Sequence, residues 1–227
     1  MPAFFFQSPS VILFDEMTLA ILFLPLISFV ISWLTTLIVR QLAPKVGFVD
    51  KPGGRKIHAK PKPLGGGVAI FTGVALPLIA ILIALHTPAF GEHSGHYEAA
   101  LVRGAIEKSP LALGLLAAML GMHILGLVDD RNALGPYLKL FVQLGIISAF
   151  VFSFRTVRIL SVLDQHVPGH WASAVVTIVW IGAITNAFNF LDNMDGLSAG
   201  VAAVCTAAFL VAALSIQQWF VAAALAI

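Results

Sequence analysis

The sequence predicts an all-α, polytopic integral membrane protein: one helical bundle of about six complete spans and the start of a seventh. Three observations carry this. The 227 residues are 59% hydrophobic and 11% charged, with a mean hydropathy of +0.96, whereas an ordinary soluble domain is about 25% charged. Apolar runs of about 18 residues or more recur, each long enough to cross a hydrocarbon core of about 30 Å. The runs do not alternate residue by residue, which excludes a transmembrane β-barrel. The formal charge of +2 says little until its placement is known. Cys205, the one cysteine, sits inside an apolar run, so there is no disulfide framework. No basic n-region or small-residue cleavage pattern precedes the first long run, so no cleaved signal peptide is expected.

In chain order, Met1 to Glu16 is apolar but broken by Pro9 and Asp15-Glu16, and reads as an interfacial lead-in. The first span covers Met17–Val39. Arg40 to Pro63 follows, the most basic stretch of the chain. The second span is Gly65–Leu85. His86–Pro110 reads as a loop bearing His and Glu. The third span, Leu111–Val128, ends on Asp129-Asp130. The fourth is Leu138–Phe154. A connection with Arg155, Arg158, Asp164 and Pro168 leads to the fifth, Trp171–Phe190. The sixth is Leu197–Ile216. A last apolar run starts at Trp219 and reaches Ile227, too short to cross. Without repeats or low-complexity linkers, residues 1–227 form a single transmembrane domain.

Lys and Arg set the orientation. The first and third connections, counted from Arg40 and from Arg131, hold nine of them, against four in the second and fourth. The first and third connections are therefore expected in the cytoplasm and the N-terminus outside. The basic stretch, Asp129-Asp130 and the end of the fifth span then share the cytoplasmic side. His93, His96, His166 and His170 fall on the outward side, away from the acids.

Chemistry is concentrated in three places. In Thr185–Gly196, three amides and two carboxylates close an apolar span. Steps of three residues turn a helix by about −60°, so a continuous helix would put Asn189, Asp192 and Asp195 on one flank. Oxygen donors on one flank suit Mg²⁺ or a polar ligand; the plainer reading is a polar helix end stopped by Gly196. Asp129 and Asp130 lie at the membrane boundary, where carboxylates are costly. One could bind a cation or act as a base while the other fixes a neighbouring cation; the plainer reading is a helix end reaching water beside Arg131. The basic stretch contains Gly53-Gly54, Lys56, His58, Lys60 and Gly65-Gly66-Gly67. Lys and Arg beside glycine turns suit phosphate oxygens, with lipid head groups as the rival ligand and helix packing as a rival use of the triple glycine. No P-loop is present. His123, inside the third span, is a packing histidine or a further site group. Together these point to metal-assisted phosphoryl transfer at a membrane surface.

Three motifs in order, Asp50-Lys-Pro with Arg55-Lys56-x-His58 and Pro63-x-Gly-Gly, Gly126-x-x-Asp129-Asp130, and Asn186-Ala-x-Asn189-x-x-Asp192-x-x-Asp195-Gly-Leu, resemble the polyprenyl-phosphate N-acetylhexosamine-1-phosphate transferases of glycosyltransferase family 4. The resemblance covers about residues 40 to 200. It implies an enzyme that moves a sugar phosphate from a UDP-sugar to polyprenyl phosphate and releases UMP. It implies Mg²⁺, with Mn²⁺ as a substitute, in a multi-pass bacterial cytoplasmic membrane protein whose active site faces the cytoplasm. Asp129 matches the aspartate proposed as the base for the lipid phosphate, or as nucleophile in an older scheme, and Asp130 its essential neighbour. Asn189 matches a Mg²⁺ ligand. Asp192 and Asp195 match residues lining the nucleotide site, and Lys56, His58 and Lys60 lie in the loop near the substrate phosphates. The basic motif looks more like the UDP-GlcNAc branch than the phospho-MurNAc-pentapeptide branch.

Family members continue with further helices that carry another metal-binding aspartate and a late loop that grips the nucleotide sugar. The resemblance therefore implies that this chain is an N-terminal part of a larger domain, inactive alone. Readings of another class are an ion-coupled transporter, whose acids would lie near the midplane, and an inactive membrane remnant. The implied partners are the UDP-sugar, the polyprenyl phosphate and the membrane, with homodimerisation open and no nucleic acid. The envelope glycan served, whether peptidoglycan, teichoic acid linkage or O-antigen of lipopolysaccharide, is not readable.

Overall fold

A computed structural model describes residues 16–50, 61–87, 96–165, 171–192 and 194–227. Six helices in it are long and apolar enough to cross a membrane, as the hydropathy predicts. They are α1 (Glu16–Leu42), α2 (Gly66–Leu85), α4 (Ser109–Arg131), α5 (Pro136–Ser153), α6 (Trp171–Leu191) and α7 (Leu197–Ser215). Among the described residues there are also two shorter α-helices, α3 (His96–Glu107) and α8 (Trp219–Ala226), and two short 3-10 helices, Arg155–Val157 and Ser161–Gln165. The protein is thus a polytopic helical membrane protein. Its spans turn large side chains outward: Phe23, Phe29 and Trp33 on α1 and Val204 and Phe209 on α7 are all exposed, a surface suited to lipid and not to water.

One expectation is corrected here. His86–Pro110 is not all loop, because its second half is α3. Ala99, Ala100, Leu101 and Ala105 are strong helix formers. Twelve residues make a helix of about 18 Å, too short to cross, so a search for spans passes over it. The lead-in expected for Met1 to Glu16 lies outside the described residues except for Glu16, which opens α1.

Small residues bring the spans together. A Cβ on Gly73 of α2 would come within 2.9 Å of Ser32 Cβ and 3.2 Å of the Ser28 carbonyl oxygen on α1. Thr72 Oγ1 donates to Thr35 Oγ1 across the same contact at 3.2 Å. Gly121 faces Ile146, and Gly182 faces Leu144, where a Cβ would have 3.1 Å. Apolar association in lipid relies on such close packing. Ile147, Val151 and Ala174 form a buried cluster between α5 and α6. At the end of the bundle where α6 begins, Asp164 accepts from Ser173 N at 3.1 Å and Ser173 Oγ at 2.6 Å, which caps α6. Helix α8 starts at that same end and packs Ala222 and Ala226 against Ile21 and Ala213.

The alternation of spans fixes which ends meet. The end of α1, the start of α2, the end of α4, the start of α5, the end of α6 and the start of α7 all lie at one end of the bundle. The basic stretch joins two of them. It is closed at its base by a two-residue antiparallel ladder, β1 (Val49–Asp50) with β2 (Lys62–Pro63), pairing Val49 with Pro63 and Asp50 with Lys62. Gly65 follows with φ +97°, a conformation L residues rarely adopt, packed on Val39 and Phe48. The first glycine of the triplet therefore makes the turn into α2.

Candidate active site

A cleft of about 730 Å³ opens at that end. Its wall is built by five helices: Gly67 and Phe71 from α2, His123, Asp129 and Asp130 from α4, Lys139 and Gln143 from α5, Thr185, Asn189 and Asp192 from the end of α6, and Ser198 from α7. Farther in, the lining turns apolar, with Leu115, Met119, Met122, Ile147 and Phe150. A polar mouth over an apolar shaft suits an amphipathic substrate.

Asp129 and Asp130 lie in the last turn of α4, which runs on to Arg131. The first oxygen of Asp129, Oδ1, accepts from Leu134 N at 2.9 Å. The second, Oδ2, accepts from Lys139 Nζ at 2.8 Å. One carboxylate therefore ties the α4–α5 turn and holds the lysine of the next helix. Gly135 and Pro136 start α5 sharply, with proline at a position where its missing N–H costs nothing. A lysine one turn inside a helix N-terminus opposes the local dipole, and Asp129 offsets that. The pair is partly solvated, with the two side chains 25% and 21% exposed, so its net worth is on the order of 1 kcal/mol. Asp130 is exposed and lines the cleft beside it.

Asn189 and Asp192 line the opposite wall, both exposed. The expected flank stops there. Helix α6 ends at Leu191, and Asp192 N closes the last turn on Phe188 O at 3.1 Å. Asp195 is in the turn that follows and does not line the cleft. The cause is local: Gly196 takes φ +78° and serves as the N-cap of α7, so the chain reverses before a further helical turn can bring Asp195 round. Gly196 starts a helix here instead of stopping one.

Lys56, His58 and Lys60 lie outside the described residues. The β1–β2 ladder brings both ends of their loop to the cleft end of the bundle. His123 stacks on Phe71 with ring centroids 4.6 Å apart and planes within 1°; a Cβ added to Gly67 would lie 3.9 Å from its Nδ1. The histidine is thus both packed and part of the cleft wall.

Two residues of the site escaped sequence reasoning. Lys139 counted only as a topological charge, and Gln143 was passed over inside an apolar run. Both are polar, four residues apart on one face, in a helix whose start Pro136 fixes; that spacing was the available signal.

Among the described residues, no three His, Cys, Asp or Glu side chains form a group able to hold a metal ion. The cleft does offer hard oxygen donors in Asp130, Asn189 and Asp192. Mg²⁺ commonly takes one or two carboxylates and completes its shell with water and substrate phosphates, so this donor set fits a Mg²⁺ that arrives with a phosphorylated substrate.

Residues 112–227 match glycosyl transferase family 4. A probable undecaprenyl-phosphate N-acetylglucosaminyl 1-phosphate transferase of Bacillus subtilis (strain 168) is 31% identical over 195 residues, 83% of this chain and 48% of that protein. A decaprenyl-phosphate N-acetylglucosaminephosphotransferase of Mycobacterium tuberculosis (strain CDC 1551 / Oshkosh) is 32% identical over 181 residues, 76% of this chain and 40% of its own. An undecaprenyl-phosphate alpha-N-acetylglucosaminyl 1-phosphate transferase of Escherichia coli (strain K12) is 28% identical over 187 residues, 79% and 43% respectively. The chain spans about half the length of the curated relatives it matches. No solved structure matches. The profile match over half of the chain, on a polytopic helical bundle, makes this chain a member of glycosyl transferase family 4.

Proposed function

We propose that the full-length protein transfers N-acetylglucosamine 1-phosphate from UDP-N-acetylglucosamine to a polyprenyl phosphate, at the cytoplasmic face of the membrane, and releases UMP. The observation that carries this is the single cleft that gathers the Asp129–Lys139 pair, Asp130, Asn189 and Asp192 above an apolar shaft. A diphosphate suits the polar mouth and a prenyl chain suits the shaft. Relatives named for N-acetylglucosaminyl transfer favour that sugar over the MurNAc-pentapeptide alternative. The position of the acids at one end of the bundle, away from its middle, argues against an ion-coupled transporter.

In the reaction, an oxygen of the lipid phosphate attacks the phosphorus that bears the sugar. The bond between the two phosphates of the UDP-sugar breaks, a new diphosphate forms on the lipid, and UMP carries away the bridging oxygen. Asp129 takes any proton left on the attacking phosphate. Its Oδ2 is held by Lys139 before substrate enters, so Lys139 must exchange onto a phosphate oxygen as the base is freed. Both changes are favourable together, because the incoming anion replaces the carboxylate as partner of the lysine. Asn189, with Asp130 and Asp192, would hold Mg²⁺, which when bound neutralises charge on the diphosphate. Lys139 and Asp192 both line the cleft; the lysine can pair with the nucleotide phosphates directly and the carboxylate only through a bound cation.

Membranes carrying the full-length protein are expected to release UMP from UDP-N-acetylglucosamine when undecaprenyl phosphate is supplied. Chelation should abolish release, and Mg²⁺ or Mn²⁺ should restore it. Release with UDP-MurNAc-pentapeptide alone would replace the proposed donor, and full activity in chelator would remove the metal.

A further inference from the structure

We propose that Gln143 is a positioning residue that sets the register of α5 against α6, and so holds the two walls of the cleft opposite each other. The inference deepens the transfer reading and rests on it. Gln143 is buried, 6% exposed, in the middle of an apolar span. Its Oε1 accepts from Asn186 Nδ2 at 3.2 Å. The same Asn186 nitrogen donates to Gly182 O on its own helix at 2.8 Å, which fixes the amide's orientation. One turn toward the mouth from Gln143 is Lys139; one turn toward the mouth from Asn186 is Asn189. The hydrogen bond therefore lies directly beneath the two residues that must act on one substrate.

At the far end of the bundle, Ile159 N donates to Thr177 Oγ1 at 2.9 Å and Asp164 accepts from Ser173, which ties α6 to the segment after α5; on the mouth side the tie from α5 to α6 is the Gln143–Asn186 bond. Below it, Ile147 and Val151 meet Ala174 and Ile178, apolar contacts that lack the directionality of a hydrogen bond. Beside it, Gly182 lets Leu144 come close, which sets the distance between the helices but not their offset. An amide acceptor opposite an amide donor has one best offset. In lipid, an interhelical hydrogen bond adds little to stability. Losing it should thus spare the fold and disturb the alignment of Lys139 with Asn189, where a misplacement of about 1 Å can cost about 100-fold in rate.

The test uses the full-length protein in membranes and compares wild type with Gln143→Met, which keeps the shape and removes the acceptor, and Gln143→Glu, which keeps an acceptor oxygen at the same reach. Gln143→Met is expected to lower kcat about 10- to 100-fold, with KM for UDP-N-acetylglucosamine within about threefold and the midpoint of thermal unfolding in detergent nearly unchanged. Gln143→Glu should retain several-fold more activity than Gln143→Met. Adding Gln143→Met to Asn186→Ala should cost little more than Asn186→Ala alone, since both remove one bond. If wild type is active and Gln143→Met matches it in kcat, or if both Gln143 variants lose the folded state, the positioning role is overturned while the transferase reading stands. If wild type itself releases no UMP, the transferase reading fails instead.

Discussion

Asp129 enters the cleft with neither oxygen free. The Leu134 N–H holds one and Lys139 the other, while Asp130, its neighbour, points an exposed carboxylate at the same space. Two adjacent acids thus stand in different states, and the difference comes from the partners that the α4–α5 turn and the first turns of α5 supply. The pattern Gly126-x-x-Asp129-Asp130 was enough to find both acids, but not to tell them apart, because the distinguishing partner comes from the next helix. Removing either member of the pair should be severe for a different reason in each case. On the proposed mechanism Asp129→Asn removes the base and should lower kcat by about 10²- to 10⁴-fold. Lys139→Met leaves Asp129 unpaired and the diphosphate without its lysine. The double variant should be far less harmful than the product of the two single losses, because the residues act as a unit. UMP release by the three variants, measured at saturating donor, checks this; multiplicative losses would mean that the two side chains act separately.

The elements were legible where apolar length alone decides and obscure where a turn decides. All six spans were recognisable, because about 18 apolar residues have few other fates. Helix α3 was not, since it is too short to span and too polar to register as a run. Asp195 was placed on a helical flank because spacing was read through a chain reversal that Gly196 makes with φ +78°. The triple glycine suits either phosphate approach or helix packing by sequence; in the structure Gly65 turns the chain, while a Cβ on Gly67 would meet His123 only at an ordinary contact distance. Glycines inside the spans divide in the same way, which gives a prediction of sign. Gly73→Val drives a side chain into Ser32 Cβ and the Ser28 backbone, atoms that cannot swing aside, so α1 and α2 must separate. A destabilisation of about 1–3 kcal/mol is expected. Gly200, exposed on α7 with nothing within 4 Å of an added Cβ, is the opposite case, and Gly200→Ala should stabilise by about 0.5–1 kcal/mol. Thermal unfolding in detergent should move the two midpoints in opposite directions.

At the scale of the whole molecule, the topology and the charge distribution reach the same arrangement independently. Helix alternation brings the basic stretch, the α4–α5 turn and the α6–α7 turn to one end, where the cleft opens. The Lys and Arg counts separately assign nine cations to that end and four to the other. The first argument says which groups share a face; the second gives the expectation that this face lies in the cytoplasm, where cations are retained. Neither argument uses the identity of a motif. A nucleotide sugar made in the cytoplasm has no path to the opposite end, so the proposed chemistry requires the same orientation. Two exposed positions mark the two ends, Asn132 in the α4–α5 turn and Ser161 in the α5–α6 connection. With Cys205 replaced by Ala, a membrane-impermeant maleimide applied to spheroplasts should label Ser161→Cys at once. It should reach Asn132→Cys only after permeabilisation. The opposite pattern would put the cleft outside the cell and sink both the orientation and the nucleotide-dependent reaction. Protection of Asn132→Cys by UDP-N-acetylglucosamine with Mg²⁺ in permeabilised cells, but not of Ser161→Cys, would tie the cytoplasmic end to the donor site.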